Sequence, residues 1–302
     1  MARGFIPSTG FSHKASLDEA VRPFLGRVSR IVAVDYLGRD KVGRLPRGVS
    51  LLMSPGSSRA LLQTAKVRQS ASGLGELGWN EDERPGEDVN GLPQDESSLR
   101  WIDPEEVLKA QAAGASMGWA LDLPCTCEID AAQGKERVRL TVANARWARD
   151  QDVGDMDLWG AVVGWDEQSF AECAKWVAGL GYGTLVISGL WSWMKQPATM
   201  CRIVEAVRGE VGDSVAIHVT GIGNPEVAKR LSVRGVDSMD GASYVRAADR
   251  GVQWDADSVL ADGSRIEKAH MAIANAAAIG RELEAGWRSY LVGQRRKMGA
   301  KE

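Results

Sequence analysis

From residue 101 to residue 251 strand and helix signals alternate without a break, and this alternation constrains the fold more than any other feature of the chain. Asp103-Pro104-Glu105-Glu106 reads as a capping box with Pro at the first helical position, and the helix it starts should stop near Gly114. Met117 to Leu121 follows as a strand, Ala131 to Arg149 as a polar helix and Leu158 to Val163 as a strand. Asp166 caps a helix with Phe170, Cys173, Val177 and Leu180 at helical spacing. Thr184 to Ser188 is a strand, Lys195 to Gly209 a helix and Val215 to Thr220 a β-rich run. Asn224-Pro225 then opens a short amphipathic helix that Gly235 stops, since Asn offers an acceptor at the N-cap and Gly tolerates the left-handed position after the last turn. Val236-Asp237-Ser238-Met239 is apolar enough for a buried strand and delivers Asp240 at its end. Five strand-helix units in about 140 residues imply parallel pairing, because each return to the same sheet edge needs a crossover helix.

The 302 residues suit one (β/α)8 barrel, which takes about 250. With 44% hydrophobic and 25% charged residues a large core is available. The expected fold is therefore α/β, a single TIM-type barrel spanning residues 1–302. Ile31 to Tyr36 and Val49 to Met53 are its early strands. Residues 68–100, rich in Gly, Pro, Asp, Glu and Ser, read as a long loop on the active-site side. Residues 264–302 read as a C-terminal helix, with Ile266, Ile273, His270, Leu283, Trp287 and Leu291 on its packed stripe, and a basic tail around Gln294-Arg295-Arg296-Lys297.

Four cysteines in so long a chain do not make a disulfide scaffold. The N-terminus lacks an apolar leader core, and no apolar run reaches the roughly 18 residues of a membrane span, so a soluble cytoplasmic protein is expected. A net charge of −3 argues against general coating of a polyanion. It leaves room for a local basic site such as Arg246 with Arg250.

Carboxyl ends of strands are where α/β folds keep their chemistry, and two carry carboxylates: Asp122, in Met117-Gly118-Trp119-Ala120-Leu121-Asp122-Leu123-Pro124, and Asp240. The bland alternative is a cap or turn role for each, with surface ion pairs to neighbours such as Asp249 for the two arginines.

The order GIGNPE, RGVDSMD, then Arg246 and Arg250-Gly251 resembles the tRNA-guanine transglycosylase superfamily, whose pattern is roughly G-V-G-x-P-E, G-V-D-x-F-D and an Arg-containing phosphate loop. Trp101 to Ser116 resembles that family's L-T-P-E helix, Met117 to Asp122 its strand ending in F-D-E or L-D, Trp159 to Gly164 its F-G-I-x-Q-G strand, and Ile187 to Leu190 its G-G-L turn. The resemblance implies that Asp240 is the nucleophile at ribose C1′ and Asp122 the general base. It implies that Gly164, Gly189 and Leu190 meet the base, and that Arg246 and Arg250 grip a phosphate from the loop after the catalytic strand. Ser72-Gly73 is the nearest match to a pocket-lining Ser-Gly-Gly, and a second pocket carboxylate falls on Asp152 in preference to Asp150. An oxocarbenium-like transition state needs a close carboxylate, and the incoming base must lose a ring proton to a second group. Trp165, Trp191 and Trp193 could wall the flipped base.

The departures carry weight too. Family members from bacteria and archaea hold zinc with C-x-C-x-x-C and a distant His after the phosphate loop. This chain has no cysteine beyond Cys201 and only His13, His218 and His270, so no metal and no cofactor are expected. Val163 replaces the glutamine that reads the base, and Thr220 stands where a stacking Met is usual. These differences favour the DNA-directed branch found in phages and genomic islands, which inserts 7-deazaguanines such as preQ0, and allow a homodimer or partner protein. A tRNA substrate is the first alternative. A barrel lyase or aldolase on a phosphorylated substrate, and a transglycosylase-like subunit without turnover, are the others.

Overall fold

The computed structural model describes residues 3–9, 15–41, 45–57, 66–79, 99–255 and 262–299. In chain order the first strands are β1 (Gly4–Pro7), β2 (Ile31–Asp35) and β3 (Ser50–Ser54). After them come β4 (Lys66–Gln69), β5 (Gly75–Trp79) and β6 (Arg100–Ile102), then β7 (Met117–Trp119), β8 (Asp157–Val162), β9 (Thr184–Ile187), β10 (Ala216–Val219) and β11 (Ser238–Gly241). Eight of them, all parallel, form one sheet in the order β1-β11-β10-β9-β8-β7-β3-β2. A bridge between Ser8 and Ala33 brings its two ends together, so the sheet is a nearly closed (β/α)8 barrel.

The helices are α1 (Ala15–Val21), α2 (Pro104–Gly114), α3 (Ala131–Arg149), α4 (Glu167–Gly179), α5 (Pro197–Val211), α6 (Pro225–Ser232), α7 (Ser243–Asp249) and α8 (Arg265–Gly299). Each cap named in the sequence is formed. Asp166 and Ser169 make a full capping box on α4, and the Asn224 side chain accepts from the Glu226 amide at 2.9 Å on α6. Asp103 caps α2 by accepting from the Glu105 amide at 2.7 Å, a single bond and not the reciprocal box expected.

Two expectations about the strands change. The stretch 68–100 is not one loop: β4, β5 and β6 form an antiparallel sheet that packs Leu77 and Ile102 on Leu121, Leu123 and Leu140, with residues 80–98 outside the described ones. The first strand, β1, is a four-residue run that sequence inspection passed over, too short to show periodicity but apolar at Phe5 and Ile6.

Strand alternation divides the core into two layers. Ile6, Ala33, Leu52, Trp119, Trp159, Ala161 and Val186, drawn from six strands, fill the barrel interior. The intervening Leu158, Val162, Leu185, Ile187, Val219 and Met239 face the helices. By the same parity His218, Ser238 and Asp240 share the interior side with Val186, since Val186 registers with His218 and His218 with Ser238.

The 35-residue α8 lies along β1, α1, α6 and α7. Its buried stripe is Ala269, Ala272, Ala276, Ile279 and Leu283, whereas Ile266 is 70% exposed and His270 is exposed, so the stripe is rotated from the one expected. Small residues allow close approach: a Cβ on Gly286 would stand 1.9 Å from Ser232 Oγ of α6. Among the described residues no helix is long and apolar enough to cross a membrane.

Candidate active site

Asp240 is the third residue of β11 and points into the barrel, with 3% of its surface exposed. Its Oδ1 accepts the Gly221 amide at 2.7 Å, an amide that is free because Gly221, with φ of +79°, turns the chain sharply out of β10. The second half of that turn is fixed by Ser243, whose hydroxyl donates to the Gly223 carbonyl, so the GIG segment and the start of α7 hold each other. His218 Nε2 stands 3.8 Å from the same Asp240 oxygen.

Asp122 lies three residues past β7 and is completely buried. Its Oδ1 accepts from Ser57 Oγ at 2.6 Å and from Trp119 Nε1 at 3.0 Å. Its Oδ2 and the neighbouring Ser188 Oγ are both buried without a formed hydrogen bond among the described residues. Burial raises the Asp122 pKa above the ordinary carboxylate value, and the hydroxyls of Ser188 and Ser57, the Trp119 N–H and its own backbone amide offset only part of that.

The two carboxylates are linked through the barrel floor. Trp119, which donates to Asp122, has its ring 6.3 Å from that of His218, and His218 in turn faces Asp240. Both acids therefore sit on the inner side of the rim formed by the carboxyl ends of the strands. Gly164 and Gly189-Leu190 follow β8 and β9 at the same rim. Gly189 has φ of +85° and leaves 2.7 Å between a would-be Cβ and the Cys125 carbonyl, so only glycine fits there. Gly164 packs directly on Phe170 of α4, and Leu190 is fully buried.

Of the other expected residues, Asp152 falls at the opposite end of the barrel, and Ser72, Gly73, Arg246 and Arg250 sit in local structures other than those expected. Ser72 and Gly73 form the tip of the β4–β5 hairpin; Ser72 is exposed, its hydroxyl pairs with Ser70 at 2.8 Å, and Gln69 Nε2 donates to the Gly73 carbonyl at 2.8 Å. The segment at the end of β3 stands at the rim in their stead, with Ser57 on Asp122. Asp152 is exposed between α3 and β8, at the amino end of the strands and hence the opposite end of the barrel, where it accepts the Gly154 amide at 3.0 Å. Arg246 and Arg250 lie on α7 and at its C-cap, not in a loop. Both keep exposed guanidinium-bearing side chains, and desolvation, then the charge of Arg250, lowers the Arg246 pKa.

Of the three tryptophans, Trp165 leans outward onto Gly134 of α3 and lines a groove between α3 and α4. Trp193 is buried, and Trp191, half-buried, stands beside Gly221. Sequence reasoning missed Ser57 and His218. A histidine in the middle of a barrel strand, at the parity of Asp240, is the signal that could have found the second.

The cysteines do not fit a zinc site. Burial pushes Cys125 and Cys173 up to about 12, Cys127 Sγ donates to the Ser192 carbonyl at 3.3 Å, and among the described residues no three His, Cys, Asp or Glu side chains gather as a metal needs. His13 lies outside the described residues.

A parallel barrel with two buried acids at the carboxyl rim, one raised in pKa and one bonded to a backbone amide, holds the kinds of group that glycosyl transfer requires. The family model of queuine tRNA-ribosyltransferase matches residues 93–276, more than half of the chain, and the protein belongs to that family. Membership makes it a transglycosylase of the guanine type, with a nucleic acid and a base as substrates. No curated protein matches the chain. The family match begins after β5, so β1 to β3 and Ser57 complete the barrel from outside it.

Proposed function

We propose that this protein replaces guanine in DNA with a 7-deazaguanine of the preQ0 type, through a covalent bond between Asp240 and the sugar. The supporting observation is the pair of buried acids, Asp122 and Asp240, connected through Trp119 and His218 at one rim.

Asp240 attacks C1′ as the bond to the guanine ring nitrogen breaks, and the electron pair of that bond leaves with the base. Asp122, whose burial favours the protonated form, supplies the proton that neutralises the departing base. It is then a carboxylate, and takes the ring proton of the incoming base as that base attacks C1′ and frees Asp240. One residue serves as acid and then as base, as the reversal of a symmetrical exchange requires. Gly189 and Leu190 offer backbone groups to the base edge, Gly164 closes the wall and Trp191 gives a flat apolar face. Arg246 and Arg250 bring two like charges close together on α7, a local positive potential that a phosphate relieves.

The preference for DNA rests on the chain between Gly251 and Glu302, which carries no cysteine for the zinc cluster of the tRNA enzymes, and on a base pocket with Val163 and Thr220 at positions the family fills differently. The family description names tRNA, which makes tRNA the principal rival. The test is to incubate the protein with labelled preQ0 or guanine and either duplex DNA or tRNA, beside Asp240→Ala. Label entering DNA and lost in the variant is the expected result. Label in tRNA alone overturns the choice of DNA, and label in neither overturns base exchange.

A further inference from the structure

We propose that His218 is the positioning residue of the nucleophile: its Nε2–H donates to Asp240 Oδ1 in the working site and leaves Oδ2 as the attacking oxygen. The inference rests on Asp240 being the nucleophile, as proposed above.

His218 has no exposed surface. Its ring is wedged between Trp159 and Trp119, with centroids 5.2 Å and 6.3 Å away. One nitrogen, Nδ1, lies 2.8 Å from Ser238 Oγ, while Nε2 is buried with no hydrogen-bond partner among the described residues. A neutral imidazole carries one donor and one acceptor, so a Ser238 hydroxyl that donates to Nδ1 places the hydrogen on Nε2. The carboxylate that faces it is Asp240, whose Oδ1 stands 3.8 Å from Nε2. The gap exceeds a hydrogen bond by less than 1 Å, and catalytic contacts that are long in the free enzyme close when substrate seats.

Two donors on Oδ1, the Gly221 amide and His218, would hold the carboxylate plane and draw charge to that oxygen. No described residue donates to Oδ2, whose lone pairs are left for C1′. On bond formation Oδ2 becomes the ester oxygen and Oδ1 the carbonyl oxygen, still within reach of both N–H groups. When the incoming base displaces the sugar, negative charge returns to Asp240 and the same two donors stabilise it. His218 exchanges no proton in either half, so its contribution is to orientation and to the energy of the regenerated carboxylate.

The test compares His218→Met, which keeps the bulk and removes the donor, with His218→Gln, whose amide N–H can reach the same oxygen. Both are assayed for exchange of labelled guanine into the nucleic acid that the wild-type protein accepts, with melting temperature measured alongside. His218→Met should lower kcat by about 10- to 100-fold, the worth of a hydrogen bond to a charged group, with KM for guanine within about 2-fold. His218→Gln should recover most of that loss. Wild-type kcat in the Met variant, or a Gln variant no better than Met at equal melting temperature, overturns the proposal. Should His218→Met not fold, Ser238→Ala releases the tautomer and leaves the ring in place. It should lower kcat several-fold with KM unchanged, and an unchanged kcat overturns the proposal equally. Exchange that survives Asp240→Ala removes the nucleophile assignment itself, an outcome distinct from a silent His218.

Discussion

Asp237 and Asp240 are three residues apart, yet they serve opposite ends of the barrel and are surrounded in opposite ways. At the amino end, Asp237 Oδ2 accepts from Arg208 at 3.0 Å and from the Ile217 amide at 2.9 Å. Arg208 also donates to the carbonyls of Gly212, Val215 and Gly235, so that one guanidinium ties α5, β10 and the start of β11 together. At the carboxyl end, by contrast, Asp122 Oδ2, Ser188 Oγ and His218 Nε2 are buried without hydrogen-bond partners among the described residues. Arg208 Nε at the amino end is unpaired as well, but the rest of its guanidinium makes four bonds, whereas the rim atoms stand on three residues around the two acids. A buried polar atom left unpaired costs about 1–3 kcal/mol. The difference is between an end tied together by one guanidinium and an end whose buried polar groups keep unused bonding capacity.

The largest effect that tests this contrast is on turnover. Asp240→Ala should reduce base exchange by about 10⁴-fold or more, as loss of a covalent nucleophile does, with little change in melting temperature. A variant that stays within 10-fold of wild type would separate Asp240 from the chemistry. Next comes the opposite end. Arg208→Met leaves the buried Asp237 with the more exposed Arg3, at 4.0 Å, as its remaining cation, and should cost about 3–5 kcal/mol in denaturant unfolding, while activity per folded molecule is retained.

Asp122→Asn joins the two kinds of effect. Exchange should fall by about 10²- to 10⁴-fold. Because burial raises the folded pKa of Asp122, its protonated form favours folding below the unfolded value near 3.8, and that contribution is lost as pH rises through the folded pKa. Asparagine carries no such charge, so the variant should gain melting temperature relative to wild type between acid and neutral pH. A constant difference across that range would show Asp122 titrating normally. The smallest effect distinguishes two serines. Ser57→Ala removes a donor to Asp122 and should lower exchange by roughly 10-fold, whereas Ser72→Ala, at an exposed hairpin tip, should leave it unchanged.

The serines also show where sequence reading stops. Ser72-Gly73 looks like a pocket motif because its residue types match, but those types equally make a hairpin turn, and β4 and β5 use them so. Ser57 lies 65 positions from Asp122, a separation at which no local pattern reports contact. Asp152 follows a polar helix, the place that parallel topology sends to the far end of the barrel. The GIGNPE-to-Asp240 stretch was readable because its caps, glycines and strand are consecutive, so that local chemistry dictates the turn that aims Gly221 at the carboxylate.

By itself, then, the sequence determined the parallel barrel, through helix caps and a steady alternation of strand and helix, and it placed Asp122 and Asp240 at strand ends. Both are consequences of interactions within a few residues. Only the tertiary structure decided that β1 closes the ring, that Trp119 and His218 join the two acids, and that Ser57 meets Asp122. Those contacts depend on strand register and on which side chains share the barrel interior, and ring closure between distant segments settles both.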